Sequence, residues 1–276
     1  MKVVALHPLI ADLARQVGGE NIRVISLMTE NDDPHHFNPN PTVLHQAKGA
    51  KLYLASGMGL ETYLGKLRDT IGSEAILLEV GKTIPARAAS PGDCGHDHEH
   101  DHHHEGHADP HWWHDIRNMQ RAADTLAKAF AKVDAAHAAD YRKRARAYRA
   151  ELAKLDGWVK RELIKIPRAD RKLVTAHASF NYFCAAYGFE VVSIKGINKT
   201  SEPSAKDLAA IVKAIRSQNI KALFPEQRAN PKALQTLAKE TGVRIGGSLI
   251  ADGGTSYTEM MRHNVNTITG ALQPTK

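Results

Sequence analysis

The chain has 276 residues, of which 42% are hydrophobic and 24% are charged, a composition that excludes a disordered or fibrous protein and favours one large or two medium domains. No apolar run approaches the roughly 20 residues that a membrane-spanning helix needs. The formal charge of +7 is spread along the chain without a basic stripe, which argues against nucleic-acid binding.

The first 85 residues alternate between short apolar runs and amphipathic stretches. Apolar runs that predict buried β-strands cover residues 2–6, 22–28, 51–56 and 75–80. Amphipathic stretches such as 8–17, which stops at Gly18 and Gly19, predict helices between these strands. The first part of the chain is therefore predicted to form four βα units.

The middle of the chain interrupts this alternation. Residues 86–110 show no hydrophobic periodicity and are predicted to form a loop. Residues 115–165 are rich in Ala, Lys, Arg, Leu and Glu, lack proline and contain one glycine, which favours long helices.

The alternation then resumes to the C-terminus. Further strands are predicted at residues 173–176, 191–194, 222–226 and 243–247, each followed by a helical segment. Four βα units, an interruption and four more units predict an α/β protein of two domains, each with a mostly parallel sheet.

The chain start and the two cysteines leave the cellular compartment open. The first apolar run is too short for a signal peptide, so a chain that begins with this strand is either cytoplasmic or a mature protein whose leader has been removed. Cys94 and Cys184 are too few for a disulfide framework and could form one bridge or remain two unpaired thiols.

Isolated polar residues follow several predicted strands. His35 lies after the second strand, His111 in the loop after the fourth, His177 directly after the fifth, and Asp252 after the eighth. The carboxyl ends of parallel strands form the edge at which ligands bind in open α/β sheets. Two of these residues come from each half, so a site made of all four is predicted to lie in the cleft between the domains.

Three imidazoles and one carboxylate form a nitrogen-rich tetrahedral shell that suits Zn²⁺, whereas harder cations prefer more oxygens. Asp33 and Asp109, each two residues before a histidine, could accept a hydrogen bond from its ring. The alternative is that each histidine is an ordinary hydrogen-bonded polar residue. Three in equivalent topological positions favour a metal site.

A second histidine population forms a low-complexity tract at residues 95–107, where imidazoles alternate with carboxylates. The tract has no apolar residue that could pack in a core, so it is interpreted either as a solvated loop or as a flexible, lower-affinity metal collector. The candidate auxiliary ligands are His96, His98, His100, His102, His103, His104 and His107.

Five further residues are assigned roles from the sequence. His36 and His114 are interpreted as exposed bystanders rather than aids to metal transfer. Trp112 and Trp113 are expected to shield the metal or pack between the lobes. Glu226, at the end of a strand, is assigned a structural role in preference to a hydrogen bond with a ligand or the opposite lobe.

Several motifs together resemble the periplasmic solute-binding proteins of bacterial zinc and manganese ABC importers. The motifs are DPHHFNPNP (33–41), DPHWWHD (109–115), VTAHASFNYFCAAYGF (174–189), INKTSEPSAKDL (197–208), LFPEQ (223–227) and ADGGTSYTEMMRHN (251–264). The resemblance covers essentially the whole chain.

The resemblance implies two (βα)₄ lobes joined by one long rigid helix, with the metal between the lobes. The implied boundaries are 1–135 for the N-terminal lobe with its His-rich loop at about 86–110, 136–166 for the linker helix, and 167–276 for the C-terminal lobe. The implied ligands are His35, His111, His177 and Asp252. Water or another acid takes the fourth position in some zinc members.

The function implied by the resemblance is the capture of Zn²⁺ at one tight site and its delivery to the membrane permease of an ABC importer, with weaker ions at the tract. Manganese members carry glutamate at the position of His177, and zinc members carry histidine there. The same resemblance implies a monomer in the periplasm, with a metallochaperone as a second partner. The alternatives are a manganese receptor of the same family and a zinc hydrolase, which is disfavoured because no predicted helix carries a His-Glu-x-x-His motif and no evident general base accompanies the ligands.

Overall fold

The computed structural model describes residues 1–89, 108–175, 177–192, 205–227 and 232–274. The predicted α/β class is confirmed, since each of the eight predicted segments overlaps a strand and every paired strand runs parallel to its neighbour. The chain forms two compact units that are not continuous in sequence. Unit 1 comprises Met1–Ala86, Asp115–Asp156 and Asp252–Met260, and unit 2 comprises Arg87–His114, Gly157–Ala251 and Met261–Lys276.

The sheet of unit 1 has four parallel strands in the order β2-β1-β3-β4. The strands are β1 (Lys2–Ala5), β2 (Arg23–Ser26), β3 (Leu52–Ala55) and β4 (Ile76–Glu79). The inner strands β1 and β3 are almost fully buried, as expected for strands covered on both faces.

The helices that lie wholly within unit 1 are α1 (Pro8–Gly18), α2 (Pro41–Ala47), α3 (Leu64–Ile71) and α4 (Ile116–Val133). Both α2 and α4 begin at side-chain caps that are visible in the sequence. Asn40 caps α2 by accepting a hydrogen bond from the N–H of Val43, and Asp115 caps α4 in the same way from Arg117. Pro8 and Pro41 occupy first-turn positions, where a missing N–H costs nothing.

The longest helix, α5 (Ala138–Leu163), lies within the segment predicted to form the linker. Its buried positions recur every three or four residues, which is the pattern of one helix face: Tyr141, Ala145, Tyr148, Leu152, Leu155, Val159 and Leu163. Arg142, Lys143, Arg146 and Arg149 are exposed, so much of the basic excess is on solvated surface. The boundary between the units along the chain falls inside α5, between Asp156 and Gly157.

Unit 2 contains shorter strands than the sequence suggested. They form two parallel pairs, β5 (Lys172–Leu173) with β6 (Glu190–Val191) and β7 (Ala222–Leu223) with β8 (Arg244–Ile245). One bridge between Thr175 and Phe224 joins the pairs. Pro225 follows directly and has no N–H, so a regular ladder cannot continue there.

Four helices complete the described part of unit 2 or cross its boundary: α6 (Asn181–Tyr187), α7 (Ala205–Ser217), α8 (Lys232–Thr241) and α9 (Tyr257–Leu272). The core beneath α7 and α8 is aliphatic and includes Val174, Ile215, Leu223 and Leu237. No described helix combines the length and apolar character needed to cross a membrane.

The turn after β3 depends on a buried carboxylate. Gly57, Met58 and Gly59 all have positive φ angles, of 82°, 57° and 83°. Methionine is strained in this region, because its Cβ crowds the backbone. Glu61, 3% exposed, accepts hydrogen bonds from the N–H groups of Ser56 at 2.6 Å and Gly57 at 2.9 Å. These contacts hold the turn in place.

Burial raises the pKa of Glu61 to about 7, from 4.5, although the hydrogen bonds from Gly57 and Ser56 oppose the change. Because the folded state holds this proton more tightly, the associated stability is complete below pH 4.5 and is lost as the pH rises through 7. This amounts to at most about 3.5 kcal/mol, at about 1.4 kcal/mol for each unit of pKa difference.

Glu61→Gln removes this titration, so we expect the variant's free energy of unfolding to decline less between pH 5 and pH 7.5 than that of the wild type. Urea unfolding at several pH values measures the difference. Glu74→Gln, at an exposed position, is the matched control and should keep the wild-type slope. Parallel slopes for the wild type and Glu61→Gln would contradict the assignment.

Candidate metal centre

In unit 2, His111 is oriented by the aspartate two residues before it. Asp109 Oδ1 accepts a hydrogen bond from the N–H of His111 at 2.9 Å and lies 2.7 Å from its Nδ1. Burial raises the pKa of Asp109, but the hydrogen bonds and charge of His111 outweigh this effect, so the pKa lies below its usual value. An ionised carboxylate accepts from Nδ1–H, so Nε2 carries the lone pair that can bind a metal. The predicted role of Asp109 is confirmed.

His177, also in unit 2, has a carboxylate partner from a distant part of the chain. Glu226 Oε2 lies against Nδ1 of His177, while Glu226 Oε1 accepts from Ser179 Oγ at 3.1 Å. Glu226 is 3% exposed and pairs with Leu249 in a parallel bridge just beyond β7. The structural role expected of Glu226 therefore includes a contact with a candidate ligand. The signal in the sequence was an acidic residue at the carboxyl end of a strand.

The two oriented imidazoles of unit 2 are close neighbours. The ring centroids of His111 and His177 are 5.2 Å apart with the planes inclined by 65°, and the rings offer nitrogen atoms within 4.8 Å of each other. The indole of Trp113 lies beside His111 at 5.5 Å. His111 is fully buried, and the side chain of His177 is 8% exposed. Unit 2 thus presents two nitrogen donors in a largely dehydrated setting.

Unit 1 brings together the other two candidates. Nε2 of His35 lies 3.6 Å from Oδ1 of Asp252. Asp33 Oδ1 accepts from the backbone N–H of His35 at 3.1 Å, while its Oδ2 lies 3.0 Å from Nδ1 of His36. Asp33 thus contacts the ring of His36, whose side chain is 62% exposed, as expected of a bystander.

The segment that follows Asp252 is anchored within unit 1. Gly253 and Gly254 have φ angles of 155° and 102°, and α9 begins shortly afterwards at Tyr257. The Tyr257 N–H donates to Oδ2 of Asp12 on α1 at 2.9 Å. This cap from a distant helix satisfies an N-terminal N–H of α9 and fixes the chain five residues after Asp252.

Two other residues considered from the sequence, His114 and Cys184, are buried in the structure. His114 is fully buried, so its interpretation as an exposed bystander is wrong. Cys184 is a buried thiol on α6, and burial raises its pKa, which disfavours the thiolate needed for metal binding. Cys94 and the seven auxiliary histidines of the tract lie outside the described residues.

Comparison with known proteins identifies the family. The family described as ZnuA, zinc-uptake complex component A, periplasmic, matches residues 3–271. The manganese-binding lipoprotein MntA of Bacillus subtilis (strain 168) is 34% identical over 285 residues, covering 99% of this chain and 90% of that protein. The zinc-binding protein TroA of Treponema pallidum (strain Nichols) is 30% identical over 282 residues, covering 98% and 88%.

A solved structure agrees with these similarities. The periplasmic zinc-binding protein TroA from Treponema pallidum superposes with a TM-score of 0.85 at 28% identity, covering 99% of both chains. The fold, the family match and the aligned relatives all extend over nearly the whole sequence. The chain therefore belongs to the ZnuA family of periplasmic metal-binding receptors of ABC importers.

Proposed function

We propose that the chain is an extracytoplasmic zinc receptor in which His35, His111, His177 and Asp252 bind one Zn²⁺ ion. The observation that carries the proposal is the support of two histidines in unit 2. The carboxylate of Asp109 faces Nδ1 of His111, and the carboxylate of Glu226 faces Nδ1 of His177. This arrangement selects the tautomer that offers Nε2 and is the usual support of a metal-bound histidine. The His35–Asp252 pair supplies a third nitrogen and an oxygen.

The donor chemistry supports zinc over manganese. Three imidazole nitrogens and one carboxylate match the tetrahedral preference of Zn²⁺, whereas Mn²⁺ favours sites richer in oxygen. Relatives named for each metal occur at similar identity, MntA for manganese and TroA for zinc. The histidine at position 177 is therefore the main argument for zinc in this chain.

The same four ligands suit the binding and release of a metal ion rather than catalysis. Three histidines and an aspartate fill a tetrahedral shell, whereas a hydrolytic zinc site keeps one position for water. We therefore propose delivery to a membrane permease of the ABC class. A monomer, a periplasmic metallochaperone as second partner, and weaker ions at residues 95–107 remain proposals.

Competitive titration tests the function. Metal-stripped full-length chain and a variant lacking residues 95–107 are titrated with Zn²⁺ and with Mn²⁺ against a chelator of known affinity. We expect one tight Zn²⁺ ion in both chains, additional weaker ions only in the full chain, and weaker binding of Mn²⁺ than of Zn²⁺.

Each alternative has its own outcome. Loss of tight binding in the deletion variant would move the site to the tract. Tighter Mn²⁺ than Zn²⁺ binding would favour the manganese receptor. Ester or peptide hydrolysis that depends on His111 would favour the hydrolase.

A further inference from the structure

The three residues before Asp252 are each held by hydrogen bonds within unit 2. The Leu249 N–H donates to Pro225 O, and its own carbonyl accepts from the N–H of Gln227, both at 2.8 Å. The side-chain amide of Asn264 pairs with both backbone groups of Ile250, also at 2.8 Å. Asn264 is fully buried, so this amide serves as a strand-like partner for an otherwise irregular segment.

The third of these residues, Ala251, is held by two adjacent side chains. Its carbonyl oxygen accepts a hydrogen bond from Trp113 Nε1 at 3.0 Å and lies 3.0 Å from His114 Nε2. A carbonyl only accepts, so His114 must carry its proton on Nε2. The imidazole also stacks on Phe180, with centroids 4.3 Å apart. Both donor residues are buried.

These contacts extend to Asp252 through the peptide bond. The carbonyl of Ala251 and the N–H and Cα of Asp252 lie in one plane. Fixing the oxygen from two directions restricts that plane, and with it the point from which the Asp252 side chain extends. Trp113 and His114, the two donors, belong to the segment that carries His111. Leu249 forms a bridge with Glu226, the residue that contacts His177.

We infer that Trp113 and His114 are positioning residues that set the place of the Asp252 carboxylate as the oxygen ligand. The inference rests on the proposed function, because it assigns these residues a role at the proposed zinc site. Neither side chain binds the metal. Their effect on metal affinity passes through the Ala251 carbonyl and therefore requires the carboxylate of Asp252.

A double-mutant cycle on Zn²⁺ affinity tests this dependence. His114→Phe keeps a ring that can stack on Phe180 but removes the donor, and we expect it to weaken Zn²⁺ binding by about 10-fold, the lower end of effects seen for groups that orient ligands. His114→Gln restores an N–H donor and should recover most of the affinity. In the Asp252→Ala background, His114→Phe should have little further effect.

The matched control is His263→Phe, because His263 Nε2 contacts the carbonyl of Ser248 at 2.8 Å in the same segment but four residues before Asp252. It should change the affinity by less than about twofold. Urea unfolding of each metal-free variant checks the fold. If His114→Phe does not fold, the same cycle with Trp113→Phe removes the other donor.

The outcomes separate the inference from the function. Wild-type protein without tight Zn²⁺ binding would overturn both. Tight binding that is unaffected by Asp252→Ala would overturn the inference and also remove Asp252 from the proposed ligand set. Equal losses for His114→Phe with and without Asp252, or no loss in either donor variant, would overturn the inference alone.

Discussion

Replacing His35 with alanine is expected to weaken Zn²⁺ binding by more than about 100-fold, because the change removes a nitrogen ligand from the proposed shell. Groups that only orient a ligand typically alter affinity by about 10- to 100-fold, so loss of the ligand itself should cost more. His35 suits the test because its side chain is 26% exposed, so its removal leaves no large cavity. The measurement is competitive titration of the metal-stripped protein with Zn²⁺.

The neighbouring histidine provides the control. His36 shares the same Asp-Pro-His-His segment, yet its side chain is 62% exposed and contacts Asp33. His36→Ala should retain the wild-type affinity within about threefold, as befits an exposed residue outside the shell. Equal losses for the two variants would point to the local loop conformation rather than to coordination by His35.

Glu226→Gln is expected to reduce Zn²⁺ affinity by about 10- to 100-fold. The carboxylate accepts a hydrogen bond from the Nδ1–H of His177, whereas the glutamine amide can present an N–H to that nitrogen. This contact would favour the tautomer with the proton on Nε2, which is the atom proposed to bind the metal. Titration with Zn²⁺ measures the loss of affinity, and the NMR signals of the His177 ring report the change of tautomer.

A surface glutamate in the same unit is the control. Glu190→Gln, at an exposed position in β6, makes the same chemical change away from the site and should leave affinity unaltered. Unfolding of the metal-free protein separates a loss of stability from a loss of binding. Unchanged affinity in a folded Glu226→Gln variant would show that this contact does not orient a ligand.

Much of the fold is predictable because its signals are local. Apolar runs in β1 to β4 and the three- to four-residue spacing of buried side chains in α5 follow from the periods of strands and helices. The lengths of the paired strands in unit 2 were not predictable from these periods. It depends on which backbone groups meet, as at Thr175 and Phe224 before Pro225.

The candidate site also combines residues that could be selected from the sequence with contacts that could not. His35, His111, His177 and Asp252 could be selected from the sequence, because each follows a strand whose carboxyl end faces the ligand-binding edge. Asp109 could also be selected, since it lies two residues from its partner. The partners of Glu226 and His114 could not be predicted, because their contacts cross 49 and 137 residues of sequence.

The sequence by itself determined the α/β class, the four candidate ligands and a donor set that favours zinc, since these depend on residue type and local period. Only the tertiary structure decided that Glu226 serves His177, and that Trp113 and His114 meet the carbonyl before Asp252. The physical reason is that a hydrogen bond requires atoms within about 3 Å. Residues far apart in the chain reach that distance only after the strands and helices between them have packed.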